Sequence, residues 1–298
     1  ADISISGYYE WKYQSRSSNI TTNDGTTFDS DSEIKFTFSN KTDSGLDIAM
    51  VTELESDDTD TAINESSISI AGGFGKLVLG GNDSVGDDYG IEEGDIVSEE
   101  INATGTDSLE LLDSDIAGME GDNNKVSYHI PAMGGLTAGV SFANSGAAGA
   151  SDTTSVGAQY AMSAGGASIT IGGATATTEN STQDIDSQNM GMKVVTGNVT
   201  FIASQGKYEA SSTDETGTGA GISFKVNDAM TIGAFTTEVE DDISSEEYTN
   251  TGAEIKYSIA SGLTAFINVE DYDYKVGTST STTADSGTVS KLTIKATF

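Results

Sequence analysis

Apolar and polar residues alternate along nearly the whole chain, in short segments separated by turns or polar loops. The final segment places Leu292, Ile294, Ala296 and Phe298 on one face and Lys291, Thr293, Lys295 and Thr297 on the other. That assignment follows from the two-residue period of a strand. A sheet with apolar residues on one side and lysines on the other suits a closed barrel with lipid outside and water inside. Sixteen such segments are predicted, near residues 2–13, 30–40, 46–54, 65–71, 75–81, 124–131, 136–143, 153–162, 166–177, 187–196, 198–208, 217–226, 229–240, 247–258, 263–274 and 286–298.

Their connections alternate in length. Tight turns such as Thr42–Gly45, Gly72–Gly75, Ala132–Gly135 and Ser163–Gly166 take turns with longer polar loops, of which 82–123 is the longest. Short turns at one rim and long loops at the other are the plan of an outer-membrane barrel. An even strand count places both termini at the short-turn rim, where the terminal strands can pair and leave no open edge. The expected outward faces include Ile3, Ile5, Tyr9, Trp11 and Tyr13, then Ile34, Phe36 and Phe38, and later Ile222, Phe224 and Val226. Two aromatic belts are expected at the lipid–water boundaries. Trp11, Tyr13, Tyr208, Tyr248, Tyr272 and Tyr274 are assigned to the loop side, and Phe74, Tyr160, Tyr257 and Phe298 to the turn side.

Composition narrows the picture. No stretch approaches the roughly 18 apolar residues that a membrane helix needs. The single proline suits a chain that is nearly all paired strand, and the 35 glycines are read as turn formers. The absence of cysteine removes disulfides and thiolate metal sites. A net charge of −34 excludes a general nucleic-acid binder and favours cationic partners or permeants. The start at Ala1-Asp2-Ile3, directly in a strand, suggests a mature form from which an export segment has been removed.

The chain resembles the general diffusion porins of Gram-negative outer membranes, particularly the alphaproteobacterial type. The resemblance rests on an ordered set of short motifs over the whole length. These are the start Ala-Asp-Ile-Ser-Ile-Ser-Gly-Tyr-Tyr, Lys41-Thr-Asp-Ser-Gly-Leu-Asp47, Gly72-Gly-Phe-Gly-Lys-Leu-Val-Leu-Gly80 and the terminal Phe298. It implies one all-β domain over residues 1–298, a 16-stranded antiparallel transmembrane β-barrel. Short periplasmic turns, periplasmic termini and long external loops belong to that plan. A third loop, about residues 82–123, would fold inward as a constriction. It also implies a homotrimer in contact with outer-membrane lipid and lipopolysaccharide, passing small hydrophilic solutes.

The third loop carries fourteen acidic residues between Asn82 and Asn124 and no lysine or arginine. Folded inward, it would present Asp95, Glu99, Glu100, Asp107, Glu110 and Asp113 to the permeation path. Lys12, Lys35 and Lys291 alternate with outward apolar residues on strands that closure makes adjacent, so they are expected on one basic wall patch opposite the loop. An acid-rich lumen predicts cation preference. Clustered carboxylates can hold Ca²⁺, for which Asp107, Asp113 and Asp115 are the candidate ligands, although this stretch lacks the closing Glu of an EF-hand. No other cofactor is implied.

Enzymatic function finds little support. The sole histidine, His129, is expected to face the lumen, and one histidine cannot build a zinc site. No Gly-x-Ser-x-Gly elbow is present. Pairs such as Glu99–Glu100 arise by number alone in so acidic a loop. The rival readings are a substrate-specific channel, disfavoured by an expected shortage of lumen aromatics, and an acidic surface β-protein or adhesin.

Overall fold

The computed structural model describes residues 2–20, 22–55, 63–98, 109, 124–144, 151–179, 184–277 and 284–298. Sixteen strands run in chain order: β1 (Asp2–Ser18), β2 (Gly25–Lys41), β3 (Asp47–Glu55), β4 (Ile63–Gly72), β5 (Gly75–Gly81), β6 (Asn124–His129), β7 (Leu136–Asn144) and β8 (Asp152–Ala164). They continue as β9 (Ala167–Glu179), β10 (Asp184–Thr196), β11 (Val199–Ala210), β12 (Thr213–Lys225), β13 (Met230–Asp241), β14 (Glu247–Ala260), β15 (Leu263–Lys275) and β16 (Asp285–Thr297). Each pairs antiparallel with its sequence neighbours, and β16 returns to β1 to close the barrel. At the seam the Phe298 amide donates to the Gly7 carbonyl at 2.9 Å, so pairing extends to the last residue.

Every predicted strand is present, but several run further toward the loop side than the apolar pattern does. β1 continues through Ser18 and β2 begins at Gly25, while β11 and β12 are separated only by Ser211 and Ser212. The ladder is made by backbone groups and does not need apolar side chains. Above the lipid a strand can carry a polar outer face. Glu238, Glu240, Asp271 and Asp273 lie exposed on the outside there, beyond the lipid-facing Ile232, Ile267 and Val269. At the opposite rim the turns are tight. Gly165 and Gly166 both adopt positive φ (58° and 85°), as the two-residue turn between β8 and β9 requires.

The outer face is the inside-out surface expected, with Ile3, Ile5, Phe38, Ile171, Phe201 and Phe224 all exposed. Turn-side aromatics Phe74, Tyr160, Tyr257 and Phe298 are exposed as well. The loop-side belt is different. Trp11 stacks on Phe28 at 5.6 Å between ring centroids, and Tyr13 packs on the same ring from β1. Tyr208, Tyr248, Tyr272 and Tyr274, expected outside, point inward instead and are buried. They pack with Val239, Val289 and Leu109 in one apolar cluster on the inner side of β11 and β13–β16. Strand-end position cannot separate a lipid-facing aromatic from a lumen-facing one; parity decides. Tyr248, for example, shares its face with Lys256, not with Ile255.

Candidate functional site

The inner wall receives its charges by the same parity. On β16, β1, β2 and β3, acids and lysines interleave as neighbouring strands place their inward residues side by side. The Lys12 ammonium lies 3.1 Å from Glu10 and 3.2 Å from Asp31. Lys35 pairs with Glu53 across the β2–β3 ladder, and Lys295 pairs with Glu10 while its ammonium sits 4.1 Å from the centre of the Tyr8 ring. Lys291 stands opposite Gln14 on the inner face, one strand away from Lys12. Lys12 and Lys35 are thus drawn into ion pairs with carboxylates of their own wall, an arrangement that a count of lysines alone does not reveal.

The third loop begins on this inner side. Its described stretch, 82–98, folds against the inner wall of β7–β13 and contains a short helix, α1 (Val85–Tyr89), followed by a 3₁₀ turn over Glu93–Ile96. Ser84 caps α1, its hydroxyl accepting from the Asp87 amide at 3.2 Å. The Val85 amide donates to Ser141 on β7 at 3.3 Å. Tyr89 bonds His129 of β6 through its hydroxyl at 2.9 Å, and the other ring nitrogen of that histidine lies 3.7 Å from Asp88. Lys125, buried on β6, donates to the Asn82 carbonyl where the loop begins.

Further along, wall side chains replace a missing strand partner. Asn189 of β10 accepts from the Ile91 amide at 2.9 Å and donates to the Ile91 carbonyl at 3.1 Å, satisfying both backbone groups at once. Glu93 is fully buried and accepts from the hydroxyls of Ser204 on β11 and Thr237 on β13. Glu254 of β14 accepts from the Ser98 amide with both oxygens at 3.0 Å and is itself held by the Asn268 amide at 3.1 Å. Lys256 reaches the Ser98 hydroxyl at 3.2 Å.

Between these ties much of the wall is glycine. Gly139, Gly157, Gly172, Gly191, Gly219, Gly221 and Gly233 face inward on β7, β8, β9, β10, β12 and β13, beneath the loop. A Cβ on Gly157 would stand 2.9 Å from the Val85 carbonyl oxygen, and one on Gly172 2.7 Å from that of Tyr89. On Gly221 it would meet Ile96 Cγ1 at 2.5 Å, and on Gly233 the Ile96 carbonyl oxygen at 2.9 Å. At Gly191 and Gly219 the conflict, with Ile91 and Glu93, is closer still. These glycines, like Asn189 and Glu254, escaped the sequence reading, which treated glycine as a turn former. The available signal was glycine inside a strand, a mark of close backbone approach.

Of the candidate constriction residues, Asp95 lies on the 3₁₀ turn, exposed, while its neighbours Gly94 and Ile96 are buried against the wall. Glu99, Glu100, Asp107, Glu110, Asp113 and Asp115 lie outside the described residues. Asp87 remains accessible to solvent, yet dehydration at the crowded loop base, and then the charge of Asp83, push its pKa up to about 6. Asp88 is raised by the same dehydration, against the opposing pull of His129.

The model of the Gram-negative porin family matches residues 1–277. Solved structures share the fold over the full chain at low identity. An anion-selective porin from Comamonas acidovorans is 16% identical, with a TM-score of 0.69, covering 100% of this chain and 99% of its own. In-vitro folded OmpT of Vibrio cholerae, an outer membrane protein described in its trimer form, is 13% identical, with a TM-score of 0.72 and the same coverage. A mutant form of Rh. blastica porin is 15% identical, with a TM-score of 0.71 and 100% of both chains covered. Among curated proteins, none has a sequence that matches this chain. The chain belongs to the Gram-negative porin family and is an integral outer-membrane porin, a water-filled barrel for the passive diffusion of small hydrophilic solutes.

Proposed function

We propose that this porin prefers cations and that its third loop supplies the carboxylates responsible. One observation carries the reading. The stretch laid against the inner wall, residues 82–98, holds six acids (Asp83, Asp87, Asp88, Glu92, Glu93 and Asp95) and no lysine or arginine. The wall lysines offer little counterweight, because Lys12, Lys35 and Lys295 are engaged by Glu10, Asp31 and Glu53. A passage with excess fixed negative charge concentrates cations and repels anions. The shared fold does not set this sign, since one protein of the same architecture is described as anion-selective.

In this reading Asp95, Glu99, Glu100, Asp107, Glu110 and Asp113 border the narrow zone, with Lys12, Lys35 and Lys291 across from them. Asp107, Asp113 and Asp115 are the residues that would take a Ca²⁺ ion, whose hard oxygen preference they suit. The chain acts as one domain over residues 1–298, without catalysis, as a homotrimer held in lipid and lipopolysaccharide with both termini periplasmic. The even strand count supports the last point, because it returns the chain to the rim of the short turns. The inward tyrosines of the loop-side cluster do not favour a substrate-specific slide. They are buried against one another and so do not border an open path.

The test is a reversal potential across a planar bilayer under a KCl gradient. A cation-selective sign is expected, together with a weaker preference when Glu99, Glu100 and Glu110 are neutralised. Chloride selectivity, or a potential indifferent to those three changes, would remove the assignment. Stepwise openings in threes would support the trimer.

A further inference from the structure

The geometry points to the inner-wall glycines as the residues that set the bore of the channel. The inference rests on the reading above, in which the third loop borders the narrow zone. A loop's depth in a barrel depends on how closely it can lie against the wall. Here the loop backbone touches the strands directly, because Gly157, Gly172, Gly191, Gly221 and Gly233 offer no side chain beneath it. At Gly157, Gly172, Gly191 and Gly233 the nearest obstacles to a Cβ include carbonyl oxygens of the loop backbone, which cannot rotate aside as a flexible side chain can. These glycines lie on β8, β9, β10, β12 and β13, in the order in which the loop passes over them from Val85 to Val97.

A methyl group needs about 3.5–4.0 Å from the next carbon, so alanine at Gly221 must move Ile96 about 1 Å toward the channel axis. The ties to Asn189, Glu93 and Glu254 flank the glycine track and hold the loop along its length. A methyl beneath it therefore lifts the loop into the bore and does not release it. The glycines act on permeation through the loop and are positioning residues: they touch no solute.

The experiment compares wild type with Gly191→Ala, Gly221→Ala and Gly233→Ala, each purified and judged folded by its heat-modifiable migration in SDS. Single-channel conductance in KCl and liposome swelling in sugars of increasing size are the readouts. Conductance should fall, and swelling in a disaccharide should slow roughly two-fold or more, a larger loss than for a monosaccharide, since a narrower bore excludes larger solutes first. Adding Ile96→Ala to Gly221→Ala removes the obstructing Cγ1, leaves the closer-than-usual 3.0 Å approach of the Ile96 Cβ, and should restore most of both. Gly73→Ala, in a turn with open space around it, should change neither. Should an alanine variant fail to fold, Ile96→Ala alone thins the layer between loop and wall and should raise conductance. Alanine variants that conduct and sieve like wild type, or an Ile96→Ala channel unchanged from wild type, overturn the inference. Wild-type protein that forms no channel overturns the channel reading itself.

Discussion

Asn189 and Glu93 each do for the third loop what a neighbouring strand does elsewhere in the barrel. Asn189 gives Ile91 both an acceptor and a donor, and Glu93 carries its carboxylate onto two wall hydroxyls. Asn189→Ala strands two buried backbone groups, each worth about 1–3 kcal/mol when left unpaired. Hydrogen exchange of the Ile91 amide should then rise on the order of ten-fold or more. Exchange unchanged from wild type would mean that the asparagine is incidental. Glu93→Gln preserves shape and should loosen the loop less than Glu93→Ala, read as open-channel current noise. Equal noise in both variants would assign the effect to charge alone. Neither role is legible in the sequence, since a polar residue with lumen parity looks the same whether it meets water or a loop.

Among the elements, α1 makes the clearest claim on pH. Asp87 is held near pKa 6 instead of its ordinary 3.8 by dehydration and by Asp83. The folded value lies above the unfolded one, so proton binding favours the packed loop base: its packing strengthens as pH falls from about 6 toward 4, loses that gain as pH rises back to about 6, and does not change further above it. The same proton removes a negative charge from the loop. Cation preference should therefore drop in a step near pH 6. Asp87→Asn should abolish that step in the reversal potential, and a profile identical to wild type would refute the assignment. The strands were the most legible elements, because outward apolar and inward polar residues alternate along each. Their loop-side ends were not: in β1 the ladder runs on through Gln14–Ser18, where polar residues flank it on both faces.

At the scale of the molecule, closure is what makes the sheet viable, because an unpaired edge in lipid leaves backbone groups without partners. Removing residues 291–298 would strip β1 of its pairing from Tyr8 to Gln14. The expected result is loss of the heat-modifiable folded band after refolding into detergent; a truncated protein that still shows it would mean that closure does not depend on this seam. Charge acts at the same scale. The proposed cation preference would draw partly on the chain's excess of acids, 47 against 13 bases, at the mouth, where salt at 0.15 M screens charge over about 8 Å. Cation preference should weaken with salt and then level off, the remainder being set by the loop.

The alternation of side chains by itself determined the strand count, the inside-out faces, the closed barrel and the lumenal placement of the lysines and of His129. Each of these follows from a two-residue period and the exclusion of unpaired backbone from lipid. What only the tertiary structure decided is everything that depends on which inward residue faces water and which faces the returning loop. Tyr272 joined a buried cluster, Lys12 and Lys35 found carboxylates across the ladder, and glycines 172, 191 and 221 became the bed of the third loop. Parity fixes the side of the sheet on which a residue stands, while its neighbour on that side comes from chain segments far away in sequence. No local period encodes such a meeting.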